Sequence, residues 1–187
     1  WSRSENRVFV SYGNISPHMF DALVATEDER FYDHSGIDVR AVMRAVVKRG
    51  VMGHKEAGGG STITQQLAKQ LYSSSAESTM QRLMQKPVEW IIAVELERHY
   101  TKEEILTLYL NYFDFLHNAV GIKTAANVYF GKAPKDLTLT ECATLVGMCK
   151  NPSYFNPVRE PERCRDRRNV VLQQMVKAGK LSETEYA

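Results

Sequence analysis

SPHMFDALVATEDERFYDHSGID, residues 16–38, opens as a helix and ends in acids. Ser16 followed by Pro17 is a helix start: a capping hydroxyl, then a residue whose missing N–H is no loss in the first turn. Phe20, Leu23, Val24 and Glu27 recur at i, i+3, i+4 and i+7, which is one face of an α-helix. The apolar face therefore finishes on a carboxylate, with Asp28 and Glu29 directly after it. A partly desolvated carboxylate at the lip of a cleft suits proton abstraction. The plainer reading pairs Glu27 with Arg30, close by in the next turn. Spacing alone leaves both open.

Working outward, helical signals dominate. Asp38 is placed to cap a helix over VRAVMRAVVKR, stopped by Gly50. Residues 50–60, GVMGHKEAGGG, read as a mobile loop. A further helix is predicted from about Ser61 to Tyr72, and SSSAEST as a polar connector. A long helix follows over about 80–99, with Pro87 inside it as a kink. Thr101–Glu104 and Thr138–Glu141 are capping boxes, each opening a helix. A last helix covers RDRRNVVLQQMVKAG, with Gly179 as its stop. RVFVSYG near the start is the best candidate for a short strand. The expected class is mainly α.

The 187 residues, 43% hydrophobic and 25% charged, are enough for one globular domain with a real core. A net charge of +2 does not point to nucleic acid. Arg159, Arg163, Arg165, Arg167 and Arg168 crowd the end and read as a solvated helix face. Three cysteines, two of them seven apart in a predicted helix, make no disulfide framework. No stretch is apolar for the ~18 residues of a membrane span. The five histidines form no HxxxH pair and no CxxC occurs, so metal-site spacing is absent. The chain starts at Trp1 and reads as a piece of a longer protein.

Two further stretches carry chemistry. In GGGSTITQQLAKQ, residues 58–70, Ile63, Leu67 and Leu71 share one helix face, and Thr62, Gln66 and Lys69 form a polar stripe. A helix start led by glycines offers free backbone N–H groups and a positive dipole end, and Lys69 adds a full charge. Together they suggest phosphate or pyrophosphate, although this is not a Walker loop. In MQRLMQKPVEWIIAVELERHY, residues 80–100, Lys86 and Glu89 are neighbours on one face, and Arg82 lies one turn before Lys86. They fit either a pyrophosphate site or an ordinary exposed ion pair. Between Asp38 and the glycines, Arg40, Arg44, Lys48 and Arg49 alternate with Val42, Met43, Val46, Val47, Val51 and Met52. That pattern suits a helix on anionic lipid as well as a core-packed helix.

Taken in order, these motifs resemble the peptidoglycan glycosyltransferases of glycosyltransferase family 51. That family includes monofunctional enzymes and the first domain of class A penicillin-binding proteins. The resemblance runs from Ile15 to the end. It rests on Glu27, Asp28, Phe31, His34 and Gly36; on GGSTITQQLAK, residues 59–69; on Gln85, Lys86 and Glu89; on Tyr109 to Asn111 with Tyr129 to Lys132; and on the closing KNPSYFNP run.

It implies a lysozyme-like, two-lobed fold: a helical head and a small membrane-associated jaw at about 38–60, all in one domain of 1–187. The piece would lack an N-terminal membrane anchor, and a transpeptidase domain could follow. Glu27 would be the general base, and Glu89 a second catalytic residue that assists at the leaving pyrophosphate through a divalent metal or by positioning the lysines. Asp28, Phe31, His34, Thr62, Gln66, Lys69, Gln70, Arg82, Gln85 and Lys86 would bind or shape substrate. The implied substrates are lipid II and the growing glycan chain, with a divalent cation (Mg2+ or Mn2+) a candidate at Glu89. The partners would be the membrane surface and cell-wall synthesis proteins. The place would be the outer face of the bacterial cytoplasmic membrane. A lysozyme-like lytic transglycosylase and a silent membrane-binding module are the alternatives.

Three departures from the family pattern stand out. Gln85 replaces an arginine, for which Arg82 could substitute. Gln70 replaces a frequent asparagine. Leu116 and Asn118 take positions often held by glycine, and Lys123 that of a frequent glutamate, which predicts an altered loop.

Overall fold

The computed structural model describes residues 8–52, 60–72 and 79–186, without the side chains of 48–52 and 79–84. The expected loop at 50–60 and the SSSAEST connector fall largely outside these residues. The described chain is helical: α1 (Pro17–Glu27), α2 (Val39–Met52), α3 (Ile63–Tyr72), α4 (Thr79–His99), α5 (Lys102–Tyr112), α6 (Ile122–Phe130), α7 (Leu139–Cys149), α8 (Pro161–Lys177) and α9 (Glu183–Tyr186). Among the described residues the extended pairing is a single isolated bridge, Asp114 to Val120. The chain divides into two compact units, one of residues 1–29 and 110–187, the other Arg30–Tyr109.

In the first unit α1, α7 and α8 pack on one another. Met19, Ala22 and Leu23 of α1, Leu145, Val146 and Met148 of α7, and Val171 and Met175 of α8 have no exposed surface. Helix α7 is buried from Cys142 to Cys149 apart from Thr144, as expected for a central helix apolar nearly all round. Its start is the predicted capping box between Thr138 and Glu141. The cysteines are free and buried. Burial pushes the Cys142 thiol up to about 12, against a hydrogen bond with Ser16. That bond bears on one difference from the sequence reading: Ser16 is the N-cap of α1, yet its side chain makes no capping bond.

No strand forms at residues 8–13. Val10 N–H donates to Asn111 Oδ1 at 2.8 Å, and Asn111 Nδ2 donates to Val10 O at 2.9 Å. One side-chain amide thus supplies both bonds that a neighbouring strand would have made. Helix α6 was not expected; it is nine residues between two glycines, too short for a clear periodicity. Gly121 before it has φ +82°, and a Cβ there would lie 2.6 Å from Asn111 O. In the preceding loop Leu116, His117 and Asn118 all have positive φ, the region glycine enters without steric cost. Exposed His117 at φ 51° is the simplest test. Left-handed backbone costs a non-glycine residue about 1–2 kcal/mol, and glycine's extra chain entropy returns about 0.5–1 of it. His117→Gly should therefore stabilise by roughly 0.5–1 kcal/mol, read from a urea denaturation midpoint.

In the second unit α3 packs on α4, and Phe31, Ile63, Leu67, Ala93, Ile105, Leu106 and Tyr109 are fully buried. Asp38 caps α2 as expected: its Oδ1 accepts from the backbone N–H of Arg40 and Ala41. Gly50 does not stop that helix, which runs on to Met52. Glycine in a helix interior costs only about 1 kcal/mol and does not by itself end one. Helix α3 begins with a box that the sequence reading missed. Thr62 Oγ1 accepts from Gln65 N–H, and Gln65 Oε1 accepts from Thr62 N–H. Helix α4 continues through Pro87.

Candidate active site

The expected site residues fall in both units. In the first, Glu27 is the last residue of α1 and Asp28 its C-cap, 8% exposed. The apolar face of α1 is held by α7 and α8, so the helix delivers Glu27 to the end of that packing, as its periodicity predicts. The expected partner is corrected. Arg30 pairs instead with Asp38 at 3.3 Å and Asp33 at 3.6 Å. An ion-pair partner of Glu27 is Arg167 of α8: Nη2 stands 3.6 Å from Oε1, with the side chains 13% and 14% exposed. The arginine run is therefore not uniformly a solvated face. Arg159, Arg163 and Arg165 are exposed, while Arg167 turns inward.

In the second unit the segment after the acids is clamped. Thr62 Oγ1 donates to Gly36 O at 2.6 Å. Gly36 has φ +93°, and a Cβ on it would lie 2.8 Å from the backbone of Ala93 in α4. The positive φ and the overpacking each cost about 1–3 kcal/mol. Gly36→Ala should thus lose about 3 kcal/mol in urea unfolding. Lys102 Nζ donates to His34 O at 2.7 Å and to Glu97, and sits 4.3 Å from the Phe31 ring centroid. Glu97 also accepts from Thr64 Oγ1 at 2.6 Å. Lys102 and Glu97 escape a reading by motif, because His34 and Thr64, which they hold, are remote in sequence.

The helix-start motif and the lysine–glutamate motif come together. Lys86 Nζ lies 2.8 Å from Glu89 Oε2 and 3.2 Å from Ser61 Oγ, just ahead of α3. Glu89 is 5% exposed, so the ammonium is the charge partner its burial demands. On α3, Gln66 Oε1 accepts from Tyr109 O–H at 3.0 Å, and Lys69 is exposed. Gln70 and Gln85 are half-buried, and Gln70 Oε1 has no hydrogen-bond partner among the described residues. Phe31 and Thr62 expose almost nothing, and Thr62 holds the Gly36 carbonyl. Arg82 lies on α4, with its side chain outside the described set.

Among the described residues no three acid, histidine or cysteine side chains cluster as metal ligands. Among the described residues the carboxylate beside Lys86 is Glu89, held by the ammonium at 2.8 Å.

A helical chain with a carboxylate at the end of a packed helix, and a lysine–glutamate pair at a glycine-led helix start, is consistent with the family its sequence motifs resemble. A family model described as transglycosylase matches residues 1–176. The chain belongs to the transglycosylase family. It is 41% identical over 182 residues to penicillin-binding protein 1F of Bacillus subtilis (strain 168), covering 97% of this chain and 25% of that protein. It is likewise 41% identical to penicillin-binding protein 1A of Escherichia coli (strain K12), covering 97% of this chain and 21% of that one. The chain thus spans a quarter or less of the length of these relatives. The crystal structure of penicillin-binding protein 1A from Haemophilus influenzae aligns with a TM-score of 0.55 and 26% identity, over 96% of this chain and 16% of that one.

Proposed function

We propose that this chain is a single glycosyltransferase domain that polymerises lipid II into β-1,4-linked glycan. The observation that carries the reading is the Lys86–Glu89 pair beside Ser61 at the start of α3. A glycan-cutting enzyme has no use for a cationic cradle at a helix start. A transferase with a diphosphate leaving group needs one.

In this reading Glu27 takes the proton from the 4-hydroxyl of the acceptor sugar. The freed oxygen attacks the anomeric carbon of the growing chain from the face opposite its diphosphate. The C–O bond to undecaprenyl pyrophosphate breaks, and the α-linked donor becomes a β-linkage. Lys69 and Lys86 stabilise the charge gathering on the leaving diphosphate, with Arg82 and Gln85 on the helix bearing Lys86. Glu89 orients Lys86. Asp28, His34, Gln66 and Gln70 contact the sugars and phosphates, while Phe31 and Thr62 hold the segments that carry them.

The membrane surface is the second partner, met from the outer side of the bacterial cytoplasmic membrane among other cell-wall synthesis proteins. On α2, Val39, Met43, Val46 and Val47 are 51–67% exposed at i, i+4, i+7 and i+8, beside exposed Arg40 and Arg44. Apolar side chains flanked by arginines suit a helix lying in a headgroup layer. No helix among the described residues is long and apolar enough to cross a membrane.

The test is purified protein given labelled lipid II in detergent. Long polymer is expected. Shortening of added glycan strands would move the assignment to a lytic enzyme, and no change in either substrate would leave a binding module.

A further inference from the structure

We propose that Arg167 is the positioning residue for Glu27, holding its carboxylate through Oε1 in the orientation from which it accepts the sugar proton. The inference rests on the reading of Glu27 as the base.

Glu27 is the last residue of α1, and its side chain has three rotatable torsions to fix. Arg167 approaches from α8, which packs on α1, with Nη2 at 3.6 Å and both side chains less than one-sixth exposed. A guanidinium so placed attracts a carboxylate more strongly than an exposed pair would, because little water screens it. At 3.6 Å this is charge pairing without a tight hydrogen bond, so the carboxylate is oriented and still able to take up a proton.

Packing supports Arg167 in turn. Its guanidinium carbon is 5.8 Å from the Phe155 ring centroid. Its Cγ lies against the bare Cα of Gly147 in α7, where a Cβ would come within 3.2 Å. Its Nε is buried with no hydrogen-bond partner among the described residues. A charge buried on apolar supports needs a counter-charge, and the acid that the structure brings to it is Glu27. The three packed helices each contribute: α1 the carboxylate, α8 the cation, α7 the glycine that admits it.

The test is steady-state polymerisation of lipid II by Arg167→Ala, Arg167→Lys and Gly147→Ala, with thermal melts run alongside. Misplacing a reacting group by about 1 Å costs up to about 100-fold. Arg167→Ala should lower kcat by about 10–100-fold with KM within about threefold, and millimolar guanidinium should restore part of the rate. Arg167→Lys should retain more activity than Arg167→Ala. Gly147→Ala, which displaces the arginine without removing it, should lower kcat while KM holds. Should Arg167→Ala fail to fold, the other two variants decide. Unchanged kcat in the folded variants overturns the proposal, as does a raised KM with kcat intact, which would make Arg167 a substrate contact. Lost melting temperature with normal kcat makes it structural and also overturns it. Glu27→Gln separates the two levels. If it keeps turnover, the base reading falls and this inference with it. If it is inactive while the Arg167 and Gly147 variants run normally, only this inference falls.

Discussion

Glu27→Gln is expected to abolish polymerisation, with kcat down by about 100- to 10,000-fold, the range of a lost general base. The amide is nearly isosteric with the carboxylate and keeps an oxygen acceptor, but it is far too weak a base to take the hydroxyl proton. Substrate binding should largely survive, because in the proposed reading Lys69 and Lys86 hold the diphosphate of the growing chain and the amide keeps the shape of Glu27. The measurement is polymer yield against time, beside lipid II affinity. Full turnover in the variant would take the base role away from Glu27. A folding effect is also expected. The substitution leaves Arg167 a buried cation without its charge partner, so the melting temperature should fall. A variant that melts like the parent and does not turn over locates the defect in chemistry.

Lys86→Met should lower kcat by about 100- to 1,000-fold, the cost typical of removing one group that stabilises charge forming in a transition state. Methionine keeps the length and apolar stem of the lysine, so lost packing does not confuse the result. The charge on the leaving diphosphate is greatest as the glycosidic bond breaks, so kcat should suffer more than KM. Lys86→Arg should recover part of the rate, since it restores charge with a different geometry. Glu89→Gln makes the informative comparison. It keeps the shape of Glu89 and removes the charge that holds Lys86 at 2.8 Å. A smaller loss of kcat than in Lys86→Met would agree with an orienting role. A larger one would make Glu89 a direct participant and overturn the role given to it here.

Much of the fold was legible because its signals are local. The helix ending at Glu27, the capping boxes at Thr101 and Thr138 and the cap at Asp38 each depend on residues within a turn or two of one another. At Ser16 and in the first segment, where local reading failed, a remote partner had intervened. Ser16 was expected to cap with its hydroxyl, but Cys142 holds it. The first segment was expected to be a strand, but Asn111 satisfies its backbone. Gly50 was expected to end α2, but a single glycine does not outweigh the rest of a helix.

The site divides along the same line. Where the candidate groups lie was readable from motif and spacing: an acid on an apolar helix face, a glycine-led helix start, and a lysine three residues before a glutamate. How those groups are supported was not. Lys102 clasping His34 and Phe31, Thr62 bonded to Gly36, and Arg167 turned in from an arginine run in which Arg159, Arg163 and Arg165 are exposed all join residues far apart in the chain. Side-chain period along a helix reports one face of one segment. Which second segment meets that face is set by how whole helices pack, and no local pattern records it.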